Sequence, residues 1–85
     1  MTYSISYVPS AAKVLRNLDH PTARRLAASI KELSDEPRPP GCIQLKGGSG
    51  ELRIRVGDYR VIYEVIDDEL VVLVLHIGHR REAYR

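Results

Sequence analysis

Cysteine is almost absent. Cys42 stands alone in 85 residues, so no internal disulfide can form. A single thiol without a Cys-x-x-Cys spacing excludes a disulfide scaffold and suits a reducing cytosol. Long apolar runs are also missing. The longest, LVVLVL at 70–75, falls far short of the roughly 20 residues that a membrane span needs. The opening MTYSISYVPS has no basic stretch followed by an apolar core, so no signal peptide is expected. A soluble, cytoplasmic chain with no membrane partner is the expectation. The histidines at 20, 76 and 79 lack zinc spacing and the acids form no ligand constellation, so neither metal nor cofactor is expected. Net charge is only +2, too little by itself to argue for nucleic acid.

What is present fits one small domain, 1–85. A chain this short buries only about 60% of the surface its unfolded form exposes, so its core is thin. Residues 3–8, YSISYV, alternate and read as a strand. Pro9 ends it and Ser10 can begin a helix, in which Ala11, Val14, Leu15 and Leu18 share one face. Asp19-His20-Pro21 breaks that helix and starts another, with Pro21 suited to a first turn. Ala23, Leu26, Ala27, Ile30 and Leu33 form its apolar stripe, opposite Arg24, Arg25, Lys31 and Glu32. Residues 35–42, DEPRPPGC, hold too much proline for a helix or a ladder, and 46–50, KGGSG, reads as a flexible turn. ELRIRV and YRVIYEV form a hairpin bending near Gly57-Asp58, and IDDE at 66–69 makes an acidic turn. Residues 70–77, LVVLVLHI, are apolar on both faces, which predicts a strand internal to the sheet. The predicted fold is α+β, in the order β-α-α-β-β-β: an antiparallel twisted sheet with a helical hairpin packed on one face.

The hairpin raises a question of faces. Side chains alternate along a strand, so Leu52, Ile54 and Val56 go to the helices while Glu51, Arg53 and Arg55 go to the other face. If Tyr59, Val61, Tyr63 and Val65 also face the helices, Arg60 joins Arg53 and Arg55. Neighbouring strands lie about 4.8 Å apart, so three guanidinium groups then share one phosphate-sized neighbourhood. Two readings stay open on pattern alone. One is a solvated face whose arginines pair with Glu51, Asp58 or Glu64; the other is a surface built for an anion. From Glu51 onward, six arginines meet seven acids, so a basic surface requires the acids to sit elsewhere. The tail GHRREAYR adds Arg80, Arg81 and Tyr84. Charge for phosphate, a ring for stacking and a hydroxyl for hydrogen bonding are what single-stranded RNA recognition uses. The competing role for Tyr84 is a ring capping the sheet edge.

These residues carry a resemblance. Through the element order, LKGGSGELRIRVGDYRVIYEV at 45–65 and LHIGHRREAYR at 75–85, essentially the whole chain resembles the RelE/ParE superfamily of bacterial toxin–antitoxin toxins, and the RelE branch most closely. The resemblance implies a ribosome-dependent, metal-independent endoribonuclease that cuts mRNA, stops translation and is held inactive by a cognate antitoxin. It carries the family's strand basics onto Arg53 and Arg55 and its hairpin arginine onto Arg60. The C-terminal pair falls on Arg81, with Arg80 the alternative if the register slips by one, and Tyr84. Arg60, Arg81 and Tyr84 are then the catalytic set, and Arg53, Arg55 and Arg80 bind substrate. Two other readings share the fold: a ParE-like inhibitor that acts on DNA gyrase by protein contact, and an inactive toxin fold that serves in a repressor complex.

One departure bears on the chemistry. RelE relatives often carry lysine where this chain has Arg53 and Arg55. Lysine can lose its proton among like charges, whereas arginine keeps it. The proton acceptor for an RNA 2′-hydroxyl is therefore open. His79, of a type that titrates near neutrality, and Glu51 are candidates, against the alternatives of an exposed tail histidine and an ion-pair partner. Cys42 is read as a small hydrophobe.

Overall fold

The computed structural model describes residues 2–45 and 50–79. Strand β1 (Ser4–Tyr7) passes directly into helix α1 (Pro9–Asn17). Pro9 opens the helix, where a missing N–H is harmless and the fixed φ is already helical. Helix α2 (His20–Glu32) starts at Asp19, whose carboxylate accepts from the Thr22 N–H at 3.2 Å and the Thr22 hydroxyl at 3.0 Å. Those bonds hold the Asp19 carboxyl below its usual range. Leu26, Ile30 and Leu33, spaced i, i+4, i+7, are fully buried.

The sheet has five strands in the order β1-β5-β4-β3-β2, where β2 is Ile43–Gln44, β3 Leu52–Val56, β4 Tyr59–Ile66 and β5 Val71–His79. As predicted, β5 is internal and β3, β4 and β5 form an antiparallel ladder. Strand β2 is the addition. It pairs antiparallel with β3 through Ile43↔Arg53 and Gln44↔Leu52, and two residues are too few to show an alternation. It also adds one reversal of chain direction. β5 therefore runs parallel to β1, from Ser4↔Val71 to Tyr7↔Val74, and the sheet is mixed rather than antiparallel throughout.

Both helices cover the same sheet face. Ala11, Leu26, Ile30 and Leu33 pack there with Leu52, Ile54, Val61, Tyr63, Val72, Val74 and Ile77. Full burial of a side chain such as Leu26 or Ile30 contributes roughly 1.5–3 kcal/mol. The proline-rich segment is irregular, as its composition predicts, but it is fastened. Tyr63, 0% exposed, donates its hydroxyl to the Pro37 carbonyl at 2.7 Å, and burial pushes the phenol pKa well up. Arg38 forms an exposed ion pair with Asp67 at 3.0 Å, and Tyr3 donates to the same carboxylate at 2.7 Å. Arg38 first and Tyr3 second hold the Asp67 carboxyl below its usual range. Asp67–Glu69 forms a single 3-10 turn between β4 and β5, closed by Leu70 at φ 55.

Candidate nucleic-acid interface

The face away from the helices carries the chemistry. Leu52 and Ile54 are buried on the helix side, so Arg53 and Arg55 point the other way. Val61 and Tyr63, 0% exposed on the helix side, send Arg60, Ile62 and Glu64 to that same open face. The register then sets the pairs: Arg53 stands opposite Ile62, and Arg55 directly opposite Arg60. Gly57-Asp58 makes the two-residue turn immediately beyond this pair, with Gly57 at φ 60. A positive φ at that position suits the tight turns whose twist matches a hairpin. Arg25 of α2 reaches the tip. A Cβ built on Gly57 would lie 2.9 Å from its Nη2, so the guanidinium rests against the bare glycine. The sequence assigns Arg25 to a solvated face and gives no sign of this contact.

Two acids, Glu51 and Glu64, sit at the opposite end of the open face. Glu51 lies four residues along the strand from Arg55, and Glu64 four from Arg60, which is about 13 Å of extended chain. The acidic turn Asp67–Glu69 continues from the Glu64 end of β4. The Arg55–Arg60 pair therefore stands at the hairpin end, next to the turn that holds Asp58, with Glu51 and Glu64 at the other end. Glu51 is kept away from that pair, and its carbonyl accepts from the Leu45 N–H at 2.9 Å. Arg55 also borders a cleft of about 400 Å³ between α2, the proline-rich segment and β3, whose acidic wall is Glu32 and Glu36.

Strand β5 brings two histidines to the hairpin end, on opposite faces. Its register with β4 breaks between Ile62↔His76 and Tyr63↔Val74, leaving Leu75 as the extra residue of a β-bulge. Before the bulge Val72 and Val74 face the helices; after it Ile77 does, and all three are buried. His79, opposite Tyr59, falls on the helix side. The two rings meet edge to face, with centroids 5.1 Å apart at 90°. His79 is thus separated by the sheet from Arg53, Arg55 and Arg60. His76, opposite Ile62, falls on the arginine face and is exposed. Gly78, opposite Arg60, leaves a bare floor there. The His76 imidazole leans over that floor, since a Cβ on Gly78 would come 2.7 Å from Nε2. Sequence reasoning passes over His76 because a strand apolar on both sides shows no face, and the bulge that turns His76 outward has no local signal. Arg80, Arg81 and Tyr84 lie outside the described residues.

Groups of histidine, cysteine, aspartate or glutamate able to hold a metal ion are absent among the described residues. No helix there is long and apolar enough to cross a membrane. The arrangement can bind an anion by permanently charged donors, because guanidinium groups match phosphate oxygens in bidentate fashion.

Comparison with known proteins bears on the family and the fold. The family described as ParE toxin of type II toxin-antitoxin system, parDE, matches residues 5–84. Toxin RelG of Mycobacterium tuberculosis is similar at 30% identity over 89 residues, spanning 100% of this chain and 99% of that protein. The mRNA interferase toxin RelE of Escherichia coli K12 is 28% identical over 91 residues, spanning 98% of this chain and 88% of that one. In structure, the chain is similar to the archaeal RelE–RelB complex from Pyrococcus horikoshii OT3, with a TM-score of 0.82 and 33% identity across 94% of this chain and 97% of that chain.

Proposed function

The chain belongs to the ParE toxin family of type II toxin–antitoxin systems, and from that membership we propose that it is a RelE-like mRNA interferase. In this reading it is an endoribonuclease that cuts mRNA on the ribosome without a metal and stops translation, and a cognate antitoxin restrains it. Relatives named as mRNA interferases support the activity, and a similar toxin fold in complex with RelB supports the antitoxin. The observation that carries the reading is Arg55 opposite Arg60 on the open face, with Glu51 and Glu64 at the other end of their strands.

Cleavage by an RNA 2′-hydroxyl builds negative charge on the phosphorane oxygens. Fixed donors aimed at that charge stabilise the transition state more than the ground state. Arg60 and Arg81 take this role, with Arg80 the alternative to Arg81. Arg53 and Arg55 hold the neighbouring phosphates, and Tyr84 stacks on a base or orients the 2′-hydroxyl. The ribosome supplies the alignment of the RNA, which is where much of the rate of a weak isolated site can originate.

The test is to induce the protein without an antitoxin, follow translation and replication separately, and map mRNA 5′ ends. Early translation arrest with codon-phased cuts is the expected result. Replication arrest with DNA damage signalling would instead indicate a ParE-like gyrase inhibitor, and normal growth an inactive repressor component.

A further inference from the structure

We propose that His76, whose imidazole overhangs Gly78 beside Arg60 on the open face, is the group that takes the proton from the RNA 2′-hydroxyl. This rests on the RNA-cleaving reading above. Three observations point to it. First, the bulge at Leu75 turns His76 out of the core and onto the arginine face. Second, Gly78 supplies no side chain opposite Arg60, so a phosphate held by Arg60 comes within reach of the Nε2 edge. Third, the other open-face candidates fit the task poorly. Arg53, Arg55 and Arg60 do not deprotonate, and Glu51 and Glu64 stand at the far end of their strands. Histidine is the side chain whose ordinary titration falls between pH 5 and 8, where a general base works best.

The step balances without a redox partner. The 2′-O–H proton passes to the imidazole nitrogen, and the 2′-oxygen bonds to phosphorus. The P–O5′ bond then breaks, the 5′-oxygen takes a proton from water, and the hydroxide left behind takes the proton from the imidazolium, restoring the base. The products are a 2′,3′-cyclic phosphate and a free 5′-hydroxyl. The charged groups on the face that His76 shares are Arg60 and Glu64 from β4, Arg53 and Arg55 from β3 and Glu51 just before it, with Asp58 in the turn between β3 and β4; β1 offers only Ser4 and Ser6.

The experiment is single-turnover cleavage of mRNA on programmed ribosomes by the full chain, from pH 5 to 9, with ribosome binding measured in parallel. Wild type is expected to lose rate as pH falls, as a rate that depends on a general base does. His76→Gln is expected to be slower by about 10²–10⁴-fold, to lose that acid limb, and to bind ribosomes within about twofold of wild type. Gly78→Ala is the second variant. Its Cβ would displace the imidazole without removing it, so it should slow cleavage in a protein that circular dichroism shows to be folded. Imidazole added to His76→Ala should restore part of the rate. A His76→Gln protein with wild-type rate and an intact acid limb overturns the assignment, as does loss of that limb in His79→Gln alone. A wild type that cuts no RNA overturns the RNA-cleaving reading itself, and His76 with it.

Discussion

Tyr63 reaches from the middle of the sheet to the carbonyl of Pro37, at 2.7 Å, and so ties the irregular proline-rich segment to the core. The segment has no ladder of its own, and this bond spans 26 residues of sequence. Tyr63→Phe keeps the buried ring and removes only the hydroxyl. The expected loss is about 1 kcal/mol, the typical net value of one such hydrogen bond. Urea denaturation checks it: the midpoint should fall with the slope unchanged.

The facing pair Arg55–Arg60 places like charges directly opposite each other, an arrangement that destabilises a sheet by roughly 0.2–1 kcal/mol. Arg55→Gln is therefore expected to raise stability by a few tenths of a kcal/mol while it weakens toxicity. Arg60→Ala and Arg81→Ala should each abolish toxicity in a folded protein. Growth after induction, read beside a thermal melt, separates the two effects. Toxicity that survives both alanine changes would remove the site.

At the hairpin tip, Gly57 combines a φ of 60 with an Arg25 guanidinium lying where a Cβ would go. Gly57→Ala should destabilise by about 1–2 kcal/mol through the left-handed backbone alone. Repeating it in an Arg25→Ala background isolates the contact. A smaller loss there than in the parent would show that the guanidinium adds to the strain.

The response to pH has a sign at each end. The carboxyls of Asp19 and Asp67 are held below the ordinary value of 3.8. Their contribution is complete above that value and is lost as pH falls through the lower folded values. Tyr63, Tyr7 and Tyr3 are raised above 10.0, so their contribution is complete below pH 10 and lost as pH rises through the folded values. Urea midpoints measured across pH should decline at both extremes. Asp67→Asn should flatten the acid side, because it removes the carboxylate shared by Arg38 and Tyr3.

Much of this arrangement is legible without coordinates. Leu52, Ile54 and Val56 alternate cleanly, so the outward direction of Arg53 and Arg55 follows, and the apolar positions of β4 extend it to Arg60. Asp19 before Pro21 marks the start of α2 for the same local reason. What escapes is non-local or breaks a period. Strand β2 is too short to alternate, so the parallel β1–β5 pairing that its extra reversal produces is invisible as well. The bonds from Tyr63 to Pro37 and from Arg38 to Asp67 join segments with no local relationship. The exchange of His79 for His76 on the arginine face depends on one unpaired residue, which no propensity announces.

That unpaired residue divides β5 into two half-strands read in different frames. Upstream of Leu75 the even-numbered positions build the interior; downstream the odd-numbered ones do. The two halves therefore present different side chains to the open face. Changes at 71 and 73 vary a plain surface, whereas changes at 76 and 78 vary the chemistry beside Arg60, and neither set disturbs what holds the helices. A one-residue loss at 75 would remove the bulge and leave one regular strand, with Val74 and Ile77 still inward and His76 still beside Arg60.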